Sequence, residues 1–152
     1  MDDVISPNRL NELHATEGTV LFVCLHASAK SLIAMAYFND LAERQGSLLR
    51  AVSAGTEPDD AIPPEVVAGL AGDGFDVSGR VPLPLTPALV ASAAAIVSFG
   101  PDIAAVGPAS VPITYWHDMP AVSDDYAIAR DAIRVRVTTL FNERAATPAV
   151  TT

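Results

Sequence analysis

A single cysteine, Cys24, ends the apolar run Thr19-Val-Leu-Phe-Val-Cys24, and Lys30 and Ser31 follow it across a short segment. A thiol at a strand end, facing the start of a helix, meets converging backbone N–H groups and the positive end of the helix dipole. Both favour negative charge, and thiols in that setting ionise more readily than a free cysteine. The Ser31 hydroxyl can donate to the sulfur, and Lys30 adds a full positive charge. The same donors suit three oxygens of a tetrahedral oxyanion. Leu25, His26, Ala27, Ser28, Ala29, Lys30 and Ser31 are therefore a candidate cradle around a candidate nucleophile, Cys24. On local grounds alone the position also suits a buried structural cysteine, and the loop lacks the glycine that curled phosphate loops often use.

Placing these groups requires a strand, a tight loop and a helix in succession. Thr19–Cys24, rich in β-branched and aromatic residues, predicts a buried parallel strand. From Ser31 the period changes: Leu32, Ile33, Ala36, Tyr37 and Leu41 recur at helical spacing to about Gln45, and Gly46 stops the helix. Leu48–Ser53 predicts a second strand, Ala54–Pro58 a turn, and Pro63-Pro64 a helix start reaching about Gly72. Asp76–Ser78 suggests a short extended piece before a Pro-rich stretch, 82–87, and a helix near 87–93. Ala95–Phe99 and Val111–Tyr115 predict the third and fourth strands, and 116–124 a polar loop. Asp125 to about Arg144 reads as an amphipathic helix with Ile128, Ala132, Ile133, Val137, Leu140 and Phe141 inward.

Strands alternating with helices imply a parallel sheet covered on both faces, a three-layer α/β/α arrangement. Ligands of such sheets bind beyond the carboxyl ends of the strands. The segments 24–31, 54–58, 100–102 and 116–124 are expected to share one pocket. Residues 18–146 read as one domain, 147–152 as a tail, and 1–17 as an appendage in which Ser6-Pro7 opens a short helix carrying Leu10 and Leu13.

The bulk properties narrow the partners. A formal net charge of -9 argues against nucleic acid and against anionic lipid, so any anion site must be local. No apolar run approaches the roughly 20 residues of a membrane span. The first 16 residues have neither the basic end nor the apolar segment of a signal peptide. One cysteine cannot form an internal disulfide, which fits a reducing, cytoplasmic setting, and no metal site is assigned.

Val20-Leu-Phe-Val-Cys-Leu-His-Ala-Ser-Ala-Lys-Ser31 followed by Ser53-Ala-Gly-Thr-Glu-Pro58 resembles the low-molecular-weight protein tyrosine phosphatase family, most closely its arsenate reductase branch. The match continues through Asp73–Ser78, Leu85-Thr-Pro87, Ile96–Phe99 and Arg130–Arg134, so it covers about residues 19 to 144. The resemblance implies a flavodoxin-like, four-stranded parallel sheet and a thiol-linked intermediate on a phosphoryl group or on arsenate. A phosphocysteine carrier of the sugar-transport type also has a cysteine after its first strand, but the match at Ser53–Pro58 sets that reading apart.

This sequence departs from the family at three places. The family loop has Arg where Lys30 stands, and a planar fork gripping two oxygens becomes a point charge. Losing one charge-assisted bond of about 1.5–3 kcal/mol slows chemistry roughly 10- to 100-fold. The family's bracing mid-loop Asn is Ala27, and alignment on Pro120 puts Ala121-Val122 where the family has its Asp-Pro general acid. Asp118 is the best-placed stand-in, with His117 and Asp124 in the same loop. The resemblance also offers Trp116 and His117, with Tyr115 beside them, as pocket wall, His26 as a loop-orienting residue and Ser53 as support beneath the loop. His14 reads as a surface residue.

Lys30 is the only lysine beside eight arginines, which hints at a selected residue. Without a second cysteine, a reductase of this kind would need an external low-molecular-weight thiol such as mycothiol or glutathione, and no other cofactor is implied. Two functions stay open. One is an enzyme acting on arsenate or a phosphate monoester. The other is a catalytically impaired homologue that binds phosphate, sulfate or a phosphorylated protein.

Overall fold

The computed structural model describes residues 18–106 and 111–146. Four strands, β1 (Thr19–Cys24), β2 (Arg50–Gly55), β3 (Ala95–Ser98) and β4 (Ile113–Tyr115), form one sheet in the order β2-β1-β3-β4. Every pairing is parallel. Four helices complete the order: α1 (Lys30–Arg44), α2 (Pro64–Gly72), α3 (Pro87–Ser92) and α4 (Tyr126–Ala146).

The apolar run of β1 is continuous because both of its faces are covered. Val20, Phe22 and Cys24 pack into a core with Leu32, Ile33 and Phe38 of α1 and Ile133, Val137 and Phe141 of α4. Leu21 and Val23 point the other way, onto Val90 of α3, Ala93 and Ile103. The sheet is thus the middle layer of three. Phe22, fully buried, touches Phe38, Phe99 and Trp116 at centroid distances of 6.0, 6.2 and 6.1 Å.

The outer edge of β2 carries backbone groups without a neighbouring strand, and α1 supplies a substitute. The side-chain amide of Asn39 donates to Ala51 O (3.1 Å) and accepts from Ala51 N (2.7 Å), as a strand would.

Several sequence expectations shift. The second strand lies two residues later than Leu48–Ser53, because Leu48 is exposed while Ala54 and Gly55 pair with Val23 and Cys24. Asp76–Ser78 is no strand: Asp76 Oδ1 accepts from both the N–H and the hydroxyl of Ser78, which closes a local turn. Ile128 of α4 faces solvent, and Ala129 takes the buried position instead. The helix expected after Ser6 and the tail 147–152 lie outside the described residues. Among the described residues no helix is long and apolar enough to cross a membrane, and no group of side chains could hold a metal ion.

Candidate active site

Cys24 is the last residue of β1, buried at 8% exposure, with its Sγ 2.9 Å from Ser31 Oγ. Ser31 in turn lies 2.7 Å from Ser53 Oγ, so a chain of three polar atoms links β1, the first turn of α1 and β2. Ser31 and Ser53 are both buried, and a buried hydroxyl needs partners. In each pair either atom can donate, so the three groups form one continuous polar chain beneath the loop.

The loop between them curls without glycine. Ala27 takes up the turn with φ of 57°, a left-handed conformation that costs an alanine about 1 kcal/mol. The neighbouring glycine is Gly55, where a Cβ would stand 2.7 Å from Ala27 N, 2.8 Å from Leu25 O and 2.9 Å from Ala27 Cβ. The sequence Ser53-Ala-Gly55 therefore has a steric reason: β2 must end on a residue that lets the loop pass at backbone distance. On its other side Gly55 bonds the Pro-rich stretch, donating to Leu83 O (2.9 Å) and accepting from Leu85 N (2.8 Å).

The residues after Gly55 then run alongside the loop and pin it. Thr56 N donates to Cys24 O (3.3 Å), Glu57 N to Leu25 O (2.7 Å) and Asp59 N to His26 O (3.1 Å). The His26 ring joins in through Nδ1, which is 2.9 Å from Glu57 O. Loops 24–31 and 54–59 are thus fastened together, as their place beyond the strand ends predicts.

No side chain caps α1 and no acidic residue lies in its first turn. Helix N–H groups left free in this way suit an anion. Lys30, the first helical residue, is half-buried and its ammonium has no hydrogen-bond or ion-pair partner among the described residues. Cys24 and Ser31 are thus in contact, and Lys30 stands next to Ser31 at the start of α1.

The residues after β4 make contacts of their own. Asp118 pairs with Arg136 of α4, and that hydrogen bond holds its carboxyl below the usual carboxylate range. An acid that must donate a proton near neutral pH needs the opposite shift. Trp116 is 7% exposed and packs edge-on to Phe99 at 5.5 Å, within the core. His117 is exposed and stacks edge-on against Tyr115 at 5.4 Å. Asp124 closes a turn through its N–H on Ala121 O, and Val122 is buried. His14 lies outside the described residues.

Two features were missed at the sequence level. One is Asp59, whose carboxylate accepts from Ser28 Oγ at 2.7 Å and lies 3.5 Å from His26 Nδ1. The other is Asp73, which accepts from Tyr37, Tyr126 and Arg130 on the far side of α1. Each partner is more than 30 residues away, so neither set of bonds follows from local spacing, although Asp73 and Arg130 open two of the matched stretches.

A family model described as low molecular weight phosphotyrosine protein phosphatase matches residues 19–106. No curated protein sequence matches this chain significantly. Among solved structures, the chain is similar to an arsenate reductase from Archaeoglobus fulgidus, with 28% identity over 81% of this chain and 98% of the other, TM-score 0.66. It is similar to a thioredoxin-dependent arsenate reductase from Corynebacterium glutamicum, with 24% identity over 91% of this chain and 69% of that one, TM-score 0.71. A low molecular weight protein tyrosine phosphatase from Bacillus subtilis shares the fold at 20% identity, over 87% of this chain and 99% of the other, TM-score 0.68. With its four-stranded parallel sheet, its cysteine at the end of β1 and the matched span from Thr19 to Val106, the chain belongs to the low-molecular-weight phosphotyrosine protein phosphatase family.

Proposed function

We propose that this protein uses the Cys24 thiolate to attack a tetrahedral oxyanion held by loop 24–31, with arsenate favoured over phosphate esters. The observation that carries this reading is the Sγ–Ser31 contact of 2.9 Å beside an uncapped helix start and a Lys30 with no partner among the described residues. Sulfur forms a bond to arsenic and a hydroxide leaves, taking up a proton to become water. A low-molecular-weight thiolate then attacks the Cys24 sulfur. The S–As bonding pair departs with arsenic, which is reduced to arsenite, and a mixed disulfide forms. A second thiol regenerates Cys24 and carries away the disulfide. With a phosphate ester, the same attack must expel an alkoxide or phenoxide, a step that benefits from an acid. Asp118, held ionised by Arg136, is a poor donor, and this favours arsenate. A reducing cytoplasm suits this cycle.

A second reading has its own support. Lys30 in place of a planar fork and Ala27 in a left-handed turn both weaken a catalytic loop while leaving an anion-binding one. On that reading the protein binds phosphate, sulfate or a phosphorylated protein partner without turnover. The deciding assay uses arsenate with mycothiol or glutathione and, separately, para-nitrophenyl phosphate, on the wild type, Cys24→Ser and Lys30→Arg. Turnover lost in Cys24→Ser supports the enzyme. No turnover with either substrate, together with activity gained in Lys30→Arg, establishes the second reading.

A further inference from the structure

Ala27 holds an unfavourable left-handed turn, and its methyl group can make no bond to compensate. Both of its neighbours are held to the segment after β2: His26 through its ring Nδ1, 2.9 Å from Glu57 O, and Ser28 through the Asp59 carboxylate. Ser28 Oγ donates to Asp59 Oδ2 at 2.7 Å, His26 Nδ1 lies 3.5 Å from Asp59 Oδ1, and Asp59 N donates to His26 O at 3.1 Å. Gly55 closes the opposite side, since a Cβ there would stand 2.9 Å from Ala27 Cβ. We propose that Asp59 is a positioning residue: its carboxylate binds Ser28 and its backbone N–H binds His26 O, and together they keep Ala27 in its turn and hold the oxyanion loop in its binding shape.

The placement of a carboxylate here needs a reason. A negative group beside an anion site repels the ligand, so chance drift or ligand binding alone would disfavour Asp59. Accepting the Ser28 hydroxyl commits one oxygen to the loop, and the His26 ring faces the other. The bond also fixes Ser28, a buried hydroxyl that would otherwise lack its carboxylate acceptor. The clamp works from the β2 side, so the loop does not need a bracing side chain at position 27 itself.

This inference rests on the reading of loop 24–31 as an oxyanion site, and the test separates the two. Orthophosphate affinity is measured by titration calorimetry, and amide hydrogen exchange is followed at residues 25–29, with the β1 amides as internal control. Asp59→Ala and Ser28→Ala each weaken phosphate roughly tenfold and speed exchange at 26–28. The double variant is no worse than either single one, because both remove the same bond. Asp59→Asn, whose amide oxygen accepts the Ser28 hydroxyl, stays within about threefold of wild type. Ala27→Gly, which relieves the left-handed strain, restores most of the loss in Asp59→Ala. The proposal is overturned if Asp59→Ala exchanges like wild type, if the Ser28 and Asp59 losses multiply, or if Ala27→Gly gives no recovery. A wild type that does not bind phosphate removes the oxyanion reading, and the exchange data then judge the clamp alone.

Discussion

Asp118 Oδ2 and Arg136 Nη2 lie 2.5 Å apart and tie the loop after β4 to the middle of α4. The guanidinium stabilises the carboxylate, so the carboxyl loses its proton below the usual range. A depressed folded-state value means that the pair's small contribution to stability is present above the ordinary carboxylate range and fades as pH falls through the lowered value. Because both groups are exposed, salt weakens it further. Asp118→Asn is expected to change kcat/KM for an aryl phosphate by less than about threefold between pH 5 and 8, where loss of a true general acid costs roughly 10²–10⁴. A loss of that larger size would restore Asp118 as the acid.

Ser31 and Ser53 support the sulfur in series. Ser31→Ala removes the direct contact and is expected to slow iodoacetamide alkylation of Cys24 at pH 7 roughly tenfold, the effect of one hydrogen bond to a charged acceptor. Ser53→Ala acts only through Ser31 and should cost about threefold. Equal effects, or none, would mean that the hydroxyl chain serves packing alone.

Gly55→Ala is the sharpest steric test. The new methyl meets backbone atoms of Ala27 and Leu25 at 2.7 and 2.8 Å, and backbone cannot step aside as a flexible side chain can. We expect a loss of about 1–3 kcal/mol in stability with a larger proportional loss of oxyanion affinity. Urea melts and phosphate titration check the two effects separately.

The Asp73 hub predicts an alkaline transition. Burial first, and then the hydrogen bond to Asp73, push the Tyr37 hydroxyl up from 10.0 to about 12, and Tyr126 rises for the same reasons. A raised folded-state value keeps the proton on in the folded protein. The associated stability is therefore whole below pH 10 and is lost as pH climbs through about 12. Tyrosinate absorbance near 295 nm should show this late titration, with the melting temperature falling over the same interval. Asp73→Asn, which removes the carboxylate but keeps an acceptor, is expected to move Tyr37 ionisation to lower pH. Asp73→Ala should cost about 1–3 kcal/mol, since Tyr37, Tyr126 and Arg130 lose their shared acceptor while Arg130 keeps Asp131 at 2.8 Å.

The order of strands and helices was legible because each carries its own period. The six-residue β1 matches its sequence run, since a strand buried on both faces is apolar throughout. β2 was misplaced because Leu48 and Leu49 are as apolar as a strand should be, while its last residues, Ala54 and Gly55, look like a turn. Small residues end that strand because the loop passes over Gly55, which no local pattern reveals. In α4, Ile128 outranks Ala129 on hydrophobicity, yet the phase of the helix turns Ala129 into the core and Ile128 to solvent. At the site, the Cys24–Ser31 spacing announced the cradle. The Asp118–Arg136 and Ser28–Asp59 pairs depend on how distant elements dock, so the sequence held their residues without their partners.

Trp116, the one tryptophan of the chain, is wedged against Phe22 and Phe99, and Arg136 stands 5.7 Å above its ring. Phe22 is two residues from Cys24, and Arg136 carries Asp118. The molecule therefore contains its own optical gauge. Emission from a single indole, in unmodified protein, follows the floor beneath the sulfur and the anchoring of the loop after β4 at once, and substitution at Arg136 splits those two contributions.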